Sequence, residues 1–303
     1  MIRKAVIPAA GFGTRFLPTA KSQPKEMLPI VDTPTIQYVV EEAVASGITD
    51  ILMIIGKGKR AIEEHFDRNF ELEAELEESG KRAELEAIRR ISNLANVHFV
   101  WQKEMNGLGD AVSYARCHIG NEPFALLLGD TIVESDTPVT RQLMTVFERY
   151  HESVVALEEV ERSKVSRYGV IAGTRAAQNL YMIEDFIEKP RVEEAPSTLA
   201  IAGRYVFSPD IFDCIARVKP GKNNEIQLTD AMRLMVKSSA MYGVRFNGTR
   251  YDIGNKMDFI KTNVILGLKR NDLKKELGSF ILDLAKTLGG AGKKPARSKK
   301  TKS

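Results

Sequence analysis

The sequence contains few residues of the kinds that build disulfide frameworks or metal centres. Among its 303 residues there are only two cysteines, one tryptophan and four histidines. Two cysteines cannot form a disulfide framework, and both Cys117 and Cys214 lie in apolar helical patterns, so we interpret them as reduced core residues. Trp101 is likewise interpreted as a core residue. The histidines are scattered without ligand spacing, which argues against zinc binding and histidine-based catalysis.

Long hydrophobic runs are also absent. No apolar run approaches roughly 18 residues, so the sequence predicts no transmembrane helix and no membrane partner. The first residues, Met-Ile-Arg-Lys, lead directly into a predicted strand without an apolar leader, and we therefore expect no signal peptide. Together with the small number of cysteines, these features predict a cytoplasmic protein.

Acidic residues are slightly fewer than basic ones, with 40 Asp+Glu against 44 Lys+Arg, which gives a formal net charge of +4. The basic excess lies in residues 291–303, which contain six basic side chains and no acidic one. Because this region is rich in Lys, Ser and Gly and has no apolar anchor, residues 289–303 are predicted to form a disordered basic tail. Nucleic acid is not an expected partner of the body, and any such binding is expected in the tail only.

Short β-branched runs alternate with amphipathic helical stretches. In the first half, buried strands are predicted at Lys4–Ala9, Ile51–Ile55, Val97–Trp101 and Phe124–Leu128. This alternation predicts an α/β fold with a mostly parallel sheet covered on both faces, and the second half favours a mixed, partly antiparallel arrangement. The stretches Arg60–Glu78 and Asp110–His118 are each predicted as one helix. Lys256–Lys269 and Asn271–Leu288 are predicted to close a single domain.

A glycine-containing loop follows the first predicted strand, with the sequence Ala9-Ala10-Gly11-Phe12-Gly13-Thr14-Arg15. We expect Gly11 and Gly13 to adopt positive φ and to let the backbone approach a ligand. The loop matches neither common phosphate motif, because Phe16 stands where the dinucleotide fingerprint needs a third glycine and the Walker Gly-Lys-Ser/Thr is missing. The loop alone is compatible with a tight turn or a triphosphate site. Arg15 and the nearby Lys25 favour the triphosphate site.

An acidic residue, Asp130, follows the predicted strand Phe124–Leu128. Ligands of open α/β sheets bind beyond the carboxyl ends of the strands. A carboxylate at this place suits Mg²⁺, which prefers one or two carboxylates together with substrate phosphates. The alternative is a helix or turn cap.

Several short motifs in a fixed order make the chain similar to the sugar-1-phosphate nucleotidylyltransferases. Besides the glycine loop they include Pro24-Lys25-Glu26-Met27-Leu28-Pro29, Gly107-Leu108-Gly109, Glu188-Lys189-Pro190, Gly203-Arg204-Tyr205-Val206, Glu225–Ala231 and Asp252-x-Gly254-Asn255-Lys256. The resemblance covers residues 4–268, nearly the whole chain except the tail. It implies a Rossmann-like three-layer αβα fold of the nucleotide-diphospho-sugar transferase type, with a mixed, mostly parallel central sheet.

The resemblance also implies how the domain is divided into parts and which residues bind substrates or the metal ion. It implies one nucleotidyltransferase domain, 1–288, with a nucleotide-binding half (1–150), a sugar-phosphate half (151–255) and C-terminal helices (256–288). The implied nucleotide-binding residues are Ala9, Ala10, Gly11, Gly13, Thr14, Glu26, Gln102 and Gly107. The implied sugar-binding residues are Gly169, Glu188 and Gly203, the Mg²⁺ ligands are Asp130 and Asp252, and the catalytic cations are Arg15, Lys25 and Lys189. Gln102 and the Gly107 backbone would contact uracil.

The implied reaction converts UTP and glucose 1-phosphate into UDP-glucose and pyrophosphate. A sugar-phosphate oxygen attacks the α-phosphorus in line, and no general base is needed because the nucleophile is already an anion. The same chemistry with dTTP, CTP or another hexose 1-phosphate remains an alternative, as does a catalytically silent regulatory relative. Asp110 stands where relatives usually carry His, and we interpret it as a helix cap. Since relatives assemble, a homo-oligomer (dimer or tetramer) is expected.

Overall fold

The computed structural model describes residues 1–221 and 224–290. Within these residues the strands are β1 (Lys4–Ala9), β2 (Pro29–Ile30), β3 (Thr33–Pro34), β4 (Asp50–Ile55), β5 (Asn96–Trp101), β6 (Phe124–Leu127), β7 (Thr131–Glu134), β8 (Ser153–Glu159), β9 (Gly169–Ala177), β10 (Leu180–Glu188), β11 (Leu199–Phe207), β12 (Met241–Arg245) and β13 (Thr249–Asp252). The helices are α1 (Thr35–Ala45), α2 (Arg60–Phe66), α3 (Phe70–Glu78), α4 (Arg82–Ser92), α5 (Leu108–Ser113), α6 (Arg116–Ile119), α7 (Val139–Tyr150), α8 (Ile211–Arg217), α9 (Leu228–Met235), α10 (Lys256–Lys269) and α11 (Lys274–Gly290). Short 3₁₀ turns occur at Thr14–Phe16, Thr19–Lys21, Lys25–Met27 and Arg162–Arg167.

Nine strands form one sheet in the order β5-β4-β1-β6-β11-β8-β12-β10-β9. β5, β4, β1 and β6 are parallel, as the alternation of strands and helices predicts. β11 is antiparallel to both β6 and β8, and β9 is antiparallel to β10. In the second half only β12 and β8 pair in parallel among the strands of this sheet that the structure describes. The mixed α/β fold is confirmed, with its parallel order concentrated in the first half.

Side chains along β1 alternate between two hydrophobic clusters, one on each face of the sheet. Ala5 and Ile7 pack in the cluster that contains Val39 of α1. Val6 packs in the cluster that contains Val112 of α5. All of these side chains are fully buried, as strands covered on both faces require. The sheet is therefore the middle layer between helices, and only its strand ends remain for a ligand.

Two of the predicted helices are each divided in the structure. The stretch 60–78 consists of α2 and α3, because the chain becomes extended at Asp67 and the Asn69 side chain caps α3 by accepting a hydrogen bond from Leu72 N at 3.0 Å. The stretch 110–118 lies in α5 and α6, which are separated near Ala115. Helix interruptions of this kind follow from local hydrogen bonding and leave the overall amphipathic pattern unchanged.

Two residues predicted to lie in the core are at the surface. Cys117 is exposed on the short helix α6, whereas Cys214 is buried as predicted. Trp101 is 48% exposed because it ends β5, which is an edge strand of the sheet. Both errors arise because an apolar pattern does not show which side of a short or peripheral element the core covers.

The C-terminal helix α11 continues to Gly290, past the predicted end of the domain at residue 288. Residues 291–303, which carry the charged part of the predicted basic tail, lie outside the described residues. Within residues 1–221 and 224–290, the helices are all too short or too polar to cross a membrane.

Candidate active site

The carboxyl ends of the parallel strands open onto one cleft of about 490 Å³. The glycine loop after β1, the residue after β5 and the turn after β6 contribute to its walls, as expected for an open α/β sheet. Of the predicted residues, the cleft is lined by Ala10, Gly11, Gly13, Thr14, Lys25, Glu26, Gln102, Gly107 and Asp130. Residues that are more than 100 positions apart in the sequence are thus brought together.

Gly13 is the position in the glycine loop where a side chain is sterically disfavoured. Its φ is +64°, and a Cβ placed there would lie 3.1 Å from Cβ of Lys25. Gly11 does not have a positive φ, so that prediction is wrong; a Cβ at Gly11 would lie 3.9 Å from Cε of Lys25, an ordinary contact. Gly13 therefore allows the loop to pack against Lys25. Ala9, the last residue of β1, is buried below the loop.

Lys25 forms an ion pair with Asp130 across the cleft. Nζ of Lys25 lies 2.6 Å from Oδ2 of Asp130. Burial alone lowers the pKa of Lys25, but the negative charges of Asp130 and Glu26 outweigh it, and the pKa is above its ordinary value. Burial raises the pKa of Asp130, but Lys25 outweighs this effect and the pKa is below its ordinary value. Both groups are therefore charged at neutral pH.

Glu26 lies beneath the loop, where its contacts are with protein cations. It is 1% exposed, and one of its oxygens accepts a hydrogen bond from Nζ of Lys59 at 2.7 Å. Burial raises the pKa of Glu26, even though Lys25 and Lys59 act in the opposite direction. Lys59, which is 5% exposed, was not singled out in the sequence. No motif marks it, and only its spatial neighbour Glu26 reveals its role.

Gln102 follows β5 and lines the same cleft as the glycine loop. Its side-chain Nε2 donates to Oδ2 of Asp110 at 2.7 Å, and the residue is 5% exposed. Gly107 has a φ of +102°, and a Cβ there would lie 2.8 Å from the carbonyl oxygen of Ile226. The prediction that Asp110 caps α5 is wrong. Gly107 occupies the N-cap position, and the Asp110 side chain bonds to Gln102 instead.

Glu188 ends β10, and Lys189 follows it and contacts its side chain. Lys189 has a φ of +43°, a conformation that a non-glycine residue seldom adopts. Its Nζ donates to Oε1 of Glu188 at 2.6 Å, while Oε2 of Glu188 accepts from Thr229 Oγ1 at 2.8 Å. The sequence prediction did not include Thr229, although it belongs to the Glu225–Ala231 motif. Glu188 is therefore held between a cation and a hydroxyl.

Two predicted glycines allow close packing on this side of the sheet. A Cβ at Gly169 would lie 3.1 Å from Oε2 of Glu188. Gly203 has a φ of +74°, and a Cβ there would lie 3.2 Å from Leu128 Cδ1. The predicted sugar-binding residues thus lie on neighbouring strands, since Gly169 pairs with Glu188 in the sheet. They lie outside the lining of the cleft that contains the glycine loop.

Asp252 and Asp130 lie at the same end of a small two-stranded sheet. Asp252 in β13 pairs with Thr131, the first residue of β7, and Asp130 immediately precedes it. Oδ2 of Asp252 accepts from the Tyr168 hydroxyl at 2.9 Å, and Oδ1 accepts from Gly254 N at 3.0 Å. Asp252 is therefore oriented by neighbouring residues. Through Thr131 and Tyr168, Asp252 contacts both the turn that carries Asp130 and the residue that precedes Gly169.

Arg15 lies at the exposed end of the glycine loop. One of its Nη atoms is 3.5 Å from the carbonyl oxygen of Gly254, a long contact that leaves most of the guanidinium accessible. It does not line the cleft. The guanidinium lies between the glycine loop and the segment after β13, where it can contact an anion that extends beyond the loop.

A buried ion pair supports the turn that carries Asp130. Arg204 is fully buried, and its Nη2 lies 2.8 Å from Oε2 of Glu42. The same guanidinium donates to the carbonyl oxygens of Thr131, at 2.7 Å, and Leu128, at 3.3 Å. Because Glu42 lies in α1 and Arg204 in β11, this contact joins the two halves of the chain. The sequence prediction included Arg204 only as part of a motif.

The fold and the site together define a transferase of nucleotidyl groups. The sequence profile of the nucleotidyl transferase family matches residues 4–267. The chain belongs to this family.

Within the family, the chain is similar to proteins named UTP–glucose-1-phosphate uridylyltransferase. It is 51% identical over 285 residues to one from Staphylococcus saprophyticus, covering 94% of this chain and 99% of the relative, and 52% identical over 283 residues to one from Staphylococcus haemolyticus, covering 93% and 98%. Among solved structures, it is similar to a UDP-glucose pyrophosphorylase complexed with UDP-glucose, with a TM-score of 0.83, 44% identity and coverage of 89% of this chain and 100% of the other. A UTP-bound UGPase from Acinetobacter baumannii has a TM-score of 0.85, 35% identity and coverage of 94% and 100%.

Proposed function

We propose that this chain forms UDP-glucose and pyrophosphate from UTP and glucose 1-phosphate. The observation that carries the proposal is that the glycine loop, the Lys25–Asp130 pair and Gln102 share one cleft. The names of relatives at about half identity over nearly the whole chain support the choice of substrates. Residues 1–150 would bind the nucleotide and residues 151–255 the sugar phosphate, with residues 256–288 forming the C-terminal helices.

The main physical obstacle to this reaction is repulsion between two polyanions. Lys25 would stabilise negative charge at the α-phosphate, and Lys189 would hold the phosphate of glucose 1-phosphate. Arg15 and the backbone amides of Gly11–Thr14 would bind the departing β- and γ-phosphates. Catalysis then depends on positioning and on charges fixed before the reaction, rather than on a general base.

The base and the sugar would be bound by neutral or acidic groups. Gln102 and the Gly107 backbone would contact uracil, with Ala9, Ala10 and Glu26 supporting the loop beside it. Glu188 would accept hydrogen bonds from sugar hydroxyls, and Gly169 and Gly203 would let the ring lie against the backbone. The left-handed turn at Lys189 supports this assignment, because strained non-glycine residues are concentrated at functional sites.

Mg²⁺ would be held by Asp130 and Asp252. The two carboxylates lie at one end of the β7–β13 pair, and this is the donor type that Mg²⁺ prefers beside phosphates. Bound there, the ion would neutralise charge on the phosphate oxygens. We expect Asp130→Asn to lose most of its Mg²⁺-dependent activity, whereas Asp136→Asn, which changes an exposed acid, should titrate like the parent. An unchanged Mg²⁺ titration of the Asp130 variant would contradict the assignment.

A substrate panel with pyrophosphate release as the readout tests the proposal. UTP, dTTP, CTP and ATP are each combined with glucose 1-phosphate and with galactose 1-phosphate. The expected result is the highest kcat/KM for UTP with glucose 1-phosphate. A preference for dTTP or CTP would favour the sister activities, and no release with any pair would favour a silent relative.

The C-terminal helices expose several large apolar side chains. Ile260 of α10 is 56% exposed, and Phe280 and Leu282 of α11 are 62% and 64% exposed. We therefore assign the homo-oligomer (dimer or tetramer) to this surface. Phe280→Asp should reduce the mass measured by light scattering, whereas Phe70→Asp, a control 67% exposed on α3, should not. An unchanged mass for the Phe280 variant would contradict the assignment.

The reaction would take place in the cytoplasm. Cys117 and Cys214 are both free thiols, which suits a reducing compartment. Fractionation of the host cells with an antibody against the chain would test this, and recovery with extracellular proteins would contradict it.

A further inference from the structure

Two histidines and one aspartate meet at the end of the strands opposite the active-site cleft. Asp50 begins β4, His98 lies in β5 and His118 lies in α6. Oδ1 of Asp50 is 2.8 Å from Nε2 of His118 and 3.7 Å from Nε2 of His98. The two imidazole rings are 5.0 Å apart between centroids. The expectation that the histidines are scattered is therefore wrong for this pair.

We propose that Asp50, His98 and His118 bind one divalent transition-metal ion of the zinc type. Zinc binds imidazole nitrogen and carboxylate oxygen at about 2.0–2.2 Å, so two donors on one tetrahedral ion lie roughly 3.3 Å apart. The two donor distances from Asp50 lie on either side of this value. One donor atom from each of the three residues lies within 4.8 Å of the others, so a small adjustment of the side chains would place all three on one ion, with water in the fourth position.

The three donors are carried by defined secondary structure and are accessible to an ion. His98 pairs with Leu52 across the parallel strands, two positions along from the pair of Asp50 and Asn96. Asp50 and His98 therefore point to the same face of the sheet. The side chains of Asp50, His98 and His118 are 27%, 53% and 24% exposed. An ion can enter from solvent without rearrangement of the strands.

The neighbouring charges leave the cluster available for a cation. Lys4 pairs with Asp50 along the backbone, but its ammonium lies 2.6 Å from Glu122. It also donates to the backbone carbonyl of His118. The donor set distinguishes this cluster from the Asp130 site, because imidazole favours transition metals whereas carboxylates with phosphates favour Mg²⁺.

Metal titration of the full chain tests the proposal. Zn²⁺ is followed by calorimetry and Co²⁺ by its ligand-field absorption, for the parent and for His98→Gln, Asp50→Asn and the control His151→Asn, which removes an exposed imidazole elsewhere. One ion per chain is expected for the parent and the control, with affinity lower by at least 10-fold to 100-fold in the other two. Equal affinity in the parent and His98→Gln would overturn the site, as would a Co²⁺ spectrum that does not change with Asp50→Asn.

A second inference concerns the direction of the Gln102 side-chain amide, and it rests on the proposed function. A carboxylate can only accept hydrogen bonds, so the group of Gln102 that lies 2.7 Å from Oδ2 of Asp110 is its NH₂. The same Nε2 lies 3.5 Å from the carbonyl oxygen of Gly107. The geometry points to Asp110 as a positioning residue that makes Gln102 present its carbonyl oxygen to the base.

This direction matters because pyrimidine bases differ at N3. Uracil has an N3–H donor, whereas cytosine has an acceptor there. A glutamine that is free to rotate satisfies either base by exchanging its oxygen and nitrogen. Because Asp110 holds the amide nitrogen of Gln102, the amide oxygen faces the base. That oxygen accepts a hydrogen bond from N3–H of uracil, but it opposes the N3 acceptor of cytosine. Asp110 thus selects UTP over CTP and does not separate uracil from thymine.

The ratio of kcat/KM for UTP to that for CTP tests the role of Asp110. Asp110→Ala should lower the ratio on the order of 10-fold to 100-fold, because the penalty for an unpaired buried polar group is lost. Asp110→Asn, whose amide offers either atom, should also lower it while preserving side-chain shape. An unchanged ratio in both variants would overturn the inference, since a merely structural role reduces both nucleotides equally. A parent enzyme that does not use UTP would instead contradict the proposed function.

Discussion

The two sides of the active site differ in how their charges are held. On the proposed nucleotide side, Lys25 is largely buried and paired with Asp130, and Glu26 beneath the loop is bonded to Lys59. On the proposed sugar-phosphate side, the Lys189 side chain is 51% exposed and is bonded to its own neighbour in the chain. On this assignment the nucleotide side is already formed before substrate binds, whereas Lys189 exchanges Glu188 for the incoming phosphate.

The sheet gives a physical reason for this difference. The nucleotide side is built on parallel strands whose loops return through buried helices, so its charged residues are fixed by tertiary packing. The sugar-phosphate side lies at the ends of antiparallel strands such as β9 and β10, where neighbouring residues bond to each other. Four sets of variants test this difference and the contacts around it.

The largest expected effect is a loss of stability when the buried Arg204 charge, which contacts both halves of the chain, is removed. Arg204→Met leaves Glu42 buried without its guanidinium partner, and the free energy of unfolding should fall by about 3–5 kcal/mol. Chemical denaturation measures this. The double variant Arg204→Met with Glu42→Leu removes both charges and should recover much of the loss. If the single variant were as stable as the parent, the buried ion pair would not stabilise the contact between the halves.

The next effect is on the reaction. Lys25→Ala should lower kcat on the order of 10²–10³, because a preorganised cation is lost where charge develops. Lys189→Ala should lose activity chiefly through a higher KM for glucose 1-phosphate. Steady-state assays of pyrophosphate release separate the two, with Lys164→Ala as a control because that half-buried lysine also pairs with a nearby acid. Near-parental turnover of Lys25→Ala would contradict its role.

A smaller effect distinguishes the two glycines of the nucleotide loop. Gly13→Ala forces a Cβ into a left-handed conformation against Lys25, which should cost about 1–2 kcal/mol in the free energy of unfolding. Gly11→Ala meets only an ordinary contact, so its stability should remain within about 0.5 kcal/mol of the parent. Thermal denaturation of the pair provides the measurement. Equal losses would show that Gly13 conformation is not the constraint on the loop.

The smallest effect is a pH dependence of stability that arises from Glu73 in α3. Hydrogen bonds from Arg68 and Arg89 lower the pKa of Glu73 from 4.5 to about 2. A lowered pKa stabilises the fold above the ordinary value, so this contribution is complete above about pH 4.5 and is lost as the pH falls toward 2. Denaturation midpoints of the parent and Glu73→Gln should converge across this range. A constant difference between them would contradict the assignment.

Much of the fold follows from local sequence patterns. The predicted bounds of β1 and α10 agree with the structure, because a short continuous apolar run indicates a buried strand and the Asn255 side chain caps the first turn of α10. Short strands such as β7 and β13 are absent from the prediction. They are stabilised by pairing across more than 100 positions, and four residues carry too little pattern to indicate a strand.

In the candidate site, too, some residues could be predicted from the sequence and others could not. The glycine loop and Lys25 are recognisable because their motif is continuous in sequence. Lys59 belongs to no motif, and the Glu225–Ala231 motif does not show that Thr229 bonds to Glu188, since only the folded chain brings these side chains to Glu26 and Glu188. The distances between the two acids of the proposed Mg²⁺ site likewise depend on strand register, which a motif does not specify.

The most direct test of the difference between the two sides is a pair of calorimetric titrations of the free protein. UTP is added in one titration and glucose 1-phosphate in the other, each alone and in the presence of a non-reactive analogue of the partner substrate. A nucleotide side that is already formed predicts that UTP binds alone, and that glucose 1-phosphate binds at least about 10-fold more tightly once the nucleotide site is filled. Tight binding of glucose 1-phosphate alone, with UTP binding only after it, would contradict the account.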